Sequence, residues 1–309
     1  MKILITGGAG FIGSHVADAY INAGHQVVVI DDLSSGVREN LNPKAKFYQA
    51  DIRGDQIEGI FQREKFDVMN HHAAQMDVRR SVADPKFDAS VNVMGSLNLL
   101  ESARKNSVKK IIFASTGGAI YGEQDSFPAT ENHAQKPLSP YGITKLAVEN
   151  YLYYYKEVHG IPYIALRYGN VYGPRQNPFG EAGVIAIFAH KMLNGEQPLI
   201  NGDGKQTRDY VFVADVVEAN VIALDHDGTG IFNVGTGVEN DVNTVFKKLR
   251  KYLSPDCNEE HGPAKAGEQL RSVISFAKIK KELGWSPSTK LEEGLFLTAE
   301  HFKLNQQSS

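Results

Sequence analysis

The first thirteen residues constrain the fold more than any other stretch. Lys2 to Thr6 is an apolar run that stops at Gly7-Gly8-Ala9-Gly10-Phe11-Ile12-Gly13, after which Val16, Ala17, Ala19, Tyr20 and Ile21 recur at helical spacing. A strand, a glycine turn and a helix therefore follow one another directly. Glycines at 7, 10 and 13 leave backbone free to approach a pyrophosphate at the helix N-terminus. A second strand, Gln26 to Ile30, ends at Asp31, where a carboxylate accepts bonds from ribose hydroxyls. The same charge repels a 2′-phosphate, so NAD is expected rather than NADP. Asp32 reads either as a further cofactor contact or as a solvated residue opening the turn Asp32-Leu33-Ser34-Ser35-Gly36.

The alternation continues. Lys46 to Ala50 reads as a strand ending at Asp51, Gln56 to Arg63 as a helix, and Phe66 to Asn70 as a strand entering His71-His72-Ala73-Ala74-Gln75. A helix is expected from Phe87 to Lys105, then a strand from Lys109 to Ala114 that delivers Ser115 and Thr116. Strands alternating with helices imply right-handed crossovers and a doubly wound, Rossmann-type parallel α/β sheet, which binds ligands at the C-terminal ends of its strands. Tyr141 and Lys145 stand i, i+4 at the start of the next helix, so they share one face. A tyrosine ionises near ~10, and an adjacent ammonium favours its phenolate as a proton acceptor. Of Ser115 and Thr116 only one side chain faces inward on a strand; Thr116 is assigned to the site, with Ser115 as the alternative.

After the strand Tyr163 to Leu166 simple alternation fails. A helix over Asp215 to Leu224 and a strand over Thr229 to Val234 return, and the remainder, with Leu283-Gly284-Trp285-Ser286-Pro287, reads as a smaller, mainly helical substrate-binding cap. Residues 1–170 plus 209–235 are expected to form the NAD-binding domain, and 171–208 plus 236–309 the substrate-binding cap.

Bulk properties exclude some classes. A net charge of −3 over 309 residues gives no broad polyanion-binding surface, so no nucleic acid partner is expected. With Cys257 the only cysteine, no intrachain disulfide forms, and a cytoplasmic location is the default. No apolar run approaches the ~20 residues of a membrane span, and Met1 to Ile5 reads as a first strand rather than a signal. Tyr151, Tyr153, Tyr154 and Tyr155 on one helix fit either packing within a subunit or, with the Phe87 to Lys105 helix, a homodimer interface. No metal-ligating pattern was found.

Taken with Ala73-Ala74, Asn92, Tyr121-Gly122, Asn170, Arg208-Asp209-Tyr210 and Leu283-Gly284-Trp285, these motifs resemble the extended short-chain dehydrogenase/reductase superfamily, and within it the UDP-glucose 4-epimerases. The resemblance spans nearly the whole chain. It implies a tightly held NAD contacted by Gly7, Gly10, Phe11, Ile12, Gly13, Asp31, Asp32, Ser35, Gly36, Asp51, Ile52, Ala73, Ala74, Gln75, Asn92, Tyr141 and Lys145. It also implies that Tyr141 takes the proton of the sugar 4-hydroxyl, that Thr116 bonds that hydroxyl, and that Lys145 bonds the nicotinamide ribose and lowers the tyrosine pKa. The transient 4-keto sugar then turns over and takes the hydride on its other face. Asn170, Gly183, Val184, Arg208, Lys265, Glu268 and Ser272 complete the implied site for a UDP-sugar.

Four departures stand out. His72 replaces an apolar residue, and Asn201 stands where an aromatic commonly flanks the uracil. Lys265-Ala266-Gly267-Glu268 replaces Arg-x-Gly-Asp and loses the bidentate guanidinium. Ser272 occupies the position that gates the sugar C2 substituent, where a small residue admits an N-acetyl group. Related dehydratases need a carboxylate beside the catalytic hydroxyl, whereas Thr116 is followed by Gly117-Gly118. A UDP-glucuronate 4-epimerase, another nucleotide-sugar oxidoreductase and a non-catalytic NAD-binding regulator are the competing readings.

Overall fold

The N-terminal apolar run forms β1 (Lys2–Thr6), and its pleat feeds two cores at once. Ile3 and Ile5 enter one core and Leu4 the other, all fully buried, because successive strand residues alternate sides. A sheet covered on both faces needs no polar side, which is why its strands read as continuous apolar runs. The computed structural model describes residues 1–179, 183–264 and 269–307.

Next come α1 (Phe11–Asn22), β2 (Gln26–Asp31), β3 (Lys46–Gln49), α2 (Gln56–Glu64) and β4 (Val68–His71). The short α3 (Val78–Ala83), which carries no apolar period, is capped by Asp77 accepting from Arg80 N. The single helix expected over Phe87 to Lys105 is interrupted. α4 (Pro85–Ala89) enters a π-helical stretch, Ser90–Gly95, before α5 (Ser96–Lys105). The wider turn places Asn92 so that its Nδ2 donates to Gln75 O at 2.9 Å and its Oδ1 accepts from Gln75 N at 2.8 Å. Two long-range bonds outweigh local helical regularity there.

β5 (Lys110–Thr116), α6 (Pro140–His159) and β6 (Tyr163–Tyr168) follow. Ser139 caps α6 by accepting from Gly142 N, Pro140 opens it, and Gly160 ends it at φ +70°. β7 (Asn170–Tyr172), α7 (Val184–Leu193), β8 (Leu199–Asn201), β9 (Thr207–Phe212), α8 (Val213–Asp225) and β10 (Gly230–Val234) lead to β11 (Glu239–Asp241), α9 (Val242–Leu253), β12 (Glu260–Gly262), β13 (Arg271–Ser272), α10 (Ala277–Leu283) and α11 (Leu291–Gln307). The main sheet runs β3-β2-β1-β4-β5-β6-β10, and every pair in it is parallel. This is the doubly wound order, with its switch point between β1 and β4.

The helical cap also contains sheet. β11, β9, β13 and β7 form one small sheet, and β8 pairs β12. Apart from β9, these strands are too short for a readable period, and long-range pairing alone defines them. The Leu283 to Pro287 motif docks the chain end on α8. Trp285 Nε1 donates to Asp215 O at 2.9 Å, and the Asp215 carboxylate accepts from Ser288 N, Ser288 Oγ and Thr289 N. Among the described residues no helix is long and apolar enough to cross a membrane.

Candidate active site

The glycine turn lies at the switch point. Gly7 has φ +70°, and a Cβ there would sit 2.6 Å from Ala73 N on the loop after β4. Thus Gly7 meets both needs that glycine serves: a left-handed conformation and close approach of two backbones. A Cβ on Gly13 would strike the Gly7 carbonyl, and one on Gly36 would come 2.9 Å from Ala9. The N-terminus of α1, with Phe11, Ile12 and Gly13 in its first turn, has no side-chain cap, which leaves N–H groups pointing outward for an anion.

At the end of β2, Asp31 is buried and accepts from Ala9 N at 3.0 Å and Leu33 N at 2.8 Å. Burial pushes its carboxyl above the usual range, against those two bonds. Asp32 is exposed and accepts from Ser34 N and Oγ, the geometry of a turn, with Ser35 exposed beyond it. At the end of β3, Asp51 is clasped by the Arg53 guanidinium, which holds its carboxyl below the usual range, while Ile52 packs beneath Gly95. Ala73 N donates to Thr6 Oγ1, and Gln75 is held by Asn92. The expected cofactor residues of β1, β2, β4 and the π segment thus lie together at the C-terminal ends of neighbouring parallel strands, with those after β3 beyond β2 on the same edge. Their backbone clearances fit a dinucleotide.

The strand hydroxyls separate as alternation requires. Ser115 Oγ turns into the core and donates to Glu149 Oε1 at 2.6 Å. Thr116, half-buried, faces the opposite way, with its Oγ1 3.9 Å and Asn170 Oδ1 3.7 Å from where a Gly118 Cβ would stand. Lys145, 4% exposed, donates to Ala114 O at 2.8 Å, and its Nζ lies 5.9 Å from the Tyr141 ring centre. Burial lowers its pKa to about 8, against the carboxylates of Asp88 and Glu149. Gly142 admits the first turn of α6 to this loop, since its Cβ would lie 2.6 Å from Ala119 O. Tyr141 is thereby placed beside the segment that follows Thr116.

On the cap side, Arg208 lies on β9 in register with the buried Ser272 of β13 and donates from Nη1 to Thr207 O at 2.8 Å. The neighbouring Asp209 is buried and accepts from Thr236 N and Oγ1, Gly237 N and Ile274 N, tying three segments together. Ile274 in turn fills the space beside Gly117, 2.6 Å from where a Cβ would project. Gly183 and Val184 open α7 without a side-chain cap. Asn201 closes β8 and accepts at its carbonyl from Gln206 Nε2. Lys265 and Glu268 lie outside the described residues. His72 stacks on Tyr168 with ring centres 6.4 Å apart, and burial lowers its pKa to about 3, so it is neutral. Among the described residues no cluster of three or more His, Cys, Asp or Glu is placed to hold a metal.

A glycine cradle at the switch point of a parallel sheet, with hydroxyl, phenol and ammonium beside it, defines a Rossmann-type protein built to hold a dinucleotide against a substrate hydroxyl. The chain belongs to the NAD dependent epimerase/dehydratase family, whose model matches residues 3–235. It is 42% identical to a UDP-glucose 4-epimerase of Mycolicibacterium smegmatis, covering 99% of this chain and 100% of that one. The crystal structure of UDP-glucose 4-epimerase from Thermotoga maritima with UDP-glucose superposes with a TM-score of 0.97 at 48% identity, over 99% of this chain and 100% of that one. UDP-N-acetylglucosamine 4-epimerase from Methanobrevibacter ruminantium, in complex with UDP-N-acetylmuramic acid, gives 0.93 at 35% identity over 98% of each chain.

Sequence reading missed Glu149, Arg167 and Asp209 as organisers of the site. Glu149 carried a signal, for it stands one more turn along the Tyr141-Lys145 face. Asp209 was visible only as the middle of the Arg208-Asp209-Tyr210 motif, and Arg167 carried none, because its partners are distant in sequence.

Proposed function

We propose that the protein is an NAD-dependent 4-epimerase of UDP-hexoses that interconverts UDP-glucose and UDP-galactose through a 4-keto sugar. The bound nicotinamide supplies a reversible two-electron hydride acceptor. The chain's own residues handle the proton and the grip. Tyr141 Oη takes the proton of the 4-hydroxyl and returns it, Thr116 Oγ1 bonds that oxygen, and Lys145 keeps positive charge beside the phenolate. Asn170 and Arg208, with the α7 N-terminus at Gly183 and Val184, hold the nucleotide diphosphate, and Lys265 and Glu268 contact the rest of the nucleotide, so the sugar is free to turn. Residues 1–170 and 209–235 serve the dinucleotide, and 171–208 and 236–309 the sugar nucleotide.

The observation that carries the reading is what stands between Thr116 and Asn170. Elimination needs a carboxylate there, but Gly118 has none and Ile274 fills the space at Gly117. This supports inversion within a family whose name covers both reactions. Ser272, small and beside Arg208, supports acceptance of the N-acetyl sugars as well. The exposed Tyr151, Tyr153, Tyr154 and Val158 of α6 support a homodimer through that helix, and the single cysteine supports a cytoplasmic location. The test is to incubate the purified protein with UDP-galactose and no added NAD. UDP-glucose should form, and Tyr141→Phe should abolish its formation while dinucleotide stays bound. Oxidised product without C4 inversion would sink the proposal. Sedimentation as a monomer at micromolar concentration would remove the dimer.

A further inference from the structure

Behind Thr116 lies a buried polar chain that the proposed chemistry does not use. Arg167 on β6 is fully buried, and its guanidinium grips the Glu149 carboxylate at 2.9 and 2.6 Å. The same guanidinium donates to Tyr121 Oη at 2.9 Å, and Tyr121 Oη donates to Asn233 Oδ1 at 2.7 Å. Ser115 Oγ donates to the Glu149 oxygen that Arg167 Nε also binds. One carboxylate therefore ties together β5, which ends in Thr116; α6, which carries Tyr141 and Lys145; and the Tyr121 loop after Thr116.

Apolar packing of these elements would be as stable or more so, because removing two charges from water costs about what their attraction returns. What the ion pair adds is direction. A hydroxyl at 115 bonded inward fixes the strand's alternation at its last residue, so 116 faces the cleft. We propose that Glu149 is a positioning residue for the reaction: through Ser115 it aims Thr116 outward, and through its charge it keeps the Lys145 ammonium protonated one helical turn away. The groups facing Lys145 are Asp88 from α4, His71 from the end of β4 and His72 just after it, and Tyr141 and Glu149 from α6. Both histidines are neutral through burial, which leaves Asp88 and Glu149 as the anions that favour the ammonium.

The inference rests on the epimerase reading, and the test separates the two. Wild type and Glu149→Gln, each with its bound dinucleotide, are assayed for UDP-galactose conversion across pH 6 to 10. The variant should lose about tenfold to a hundredfold in kcat, with KM within threefold. The alkaline limb of its kcat profile should move to lower pH, because one of the two anions is gone. Glu149→Asp should restore part of kcat and return the limb toward the wild-type position. If Glu149→Gln does not fold, Glu149→Gln/Arg167→Met leaves no unpaired buried charge and should show the same loss of kcat, with a smaller displacement of the limb because a cation is removed along with the anion. A variant profile that overlays the wild type, or a loss confined to KM, overturns the assignment. An inactive wild type overturns the epimerase reading instead.

Discussion

Lys145→Met should make the dinucleotide-free protein more stable at neutral pH while abolishing its activity. The ammonium is 4% exposed, and burial takes its pKa from 10.5 to about 8. Folding thus disfavours the charged form. Below pH 8 lysine is charged in both states and the native state bears the full cost, about 3 kcal/mol for a displacement of this size. As pH rises from 8 toward 10.5 the native lysine loses its proton first, and stability returns. Methionine never bears the cost but forfeits the bond to Ala114 O, worth about 1 kcal/mol. The variant should therefore lead by about 2 kcal/mol at pH 7. Linkage returns about 2 kcal/mol to the wild type by pH 9.5, so the two should converge there. Urea unfolding at both pH values, with equal slopes, measures the gap directly. A methionine variant less stable than wild type at pH 7, or a gap that does not narrow with pH, would refute the reasoning. The outcome expected is a protein that sacrifices stability to keep a charge in its site.

Three further outcomes follow from the same geometry. Gly7→Ala forces a side chain to φ +70° and within 2.6 Å of Ala73 N; purified protein should lack dinucleotide absorbance and unfold about 2–3 kcal/mol more easily. Asp215→Ala leaves Ser288 and Thr289 without their acceptor, and should cost about 2–3 kcal/mol in urea unfolding. Ser272→Tyr should remove conversion of UDP-N-acetylglucosamine while sparing UDP-glucose, read by product ratios from paired assays; loss of both would mean the residue does not gate the sugar.

Where sequence reading succeeded, the signal was local. The glycine spacing after β1, the carboxylate closing β2 and the Tyr141-Lys145 face all depend on residues within a few turns of one another. The interruption at Ser90–Gly95 was illegible because the apolar period runs straight through it, and the cause is Gln75, seventeen residues away. Most strands of the second sheet were illegible for a similar reason. β13 has two residues, and only its pairing with β9 makes it a strand.

By itself, the sequence determined the parallel doubly wound sheet, the glycine turn at its switch point and the shared helix face of Tyr141 and Lys145. These follow from helix and strand periods, which are written into consecutive residues. Which of two adjacent hydroxyls turns into the core was a tertiary decision, made when Glu149 of α6 met Ser115 of β5. So was the space beside Gly117, occupied by Ile274 from the far end of the chain. Buried polar groups and steric exclusions are settled by whichever segment arrives opposite them, and that information belongs to the packing of elements rather than to any one of them.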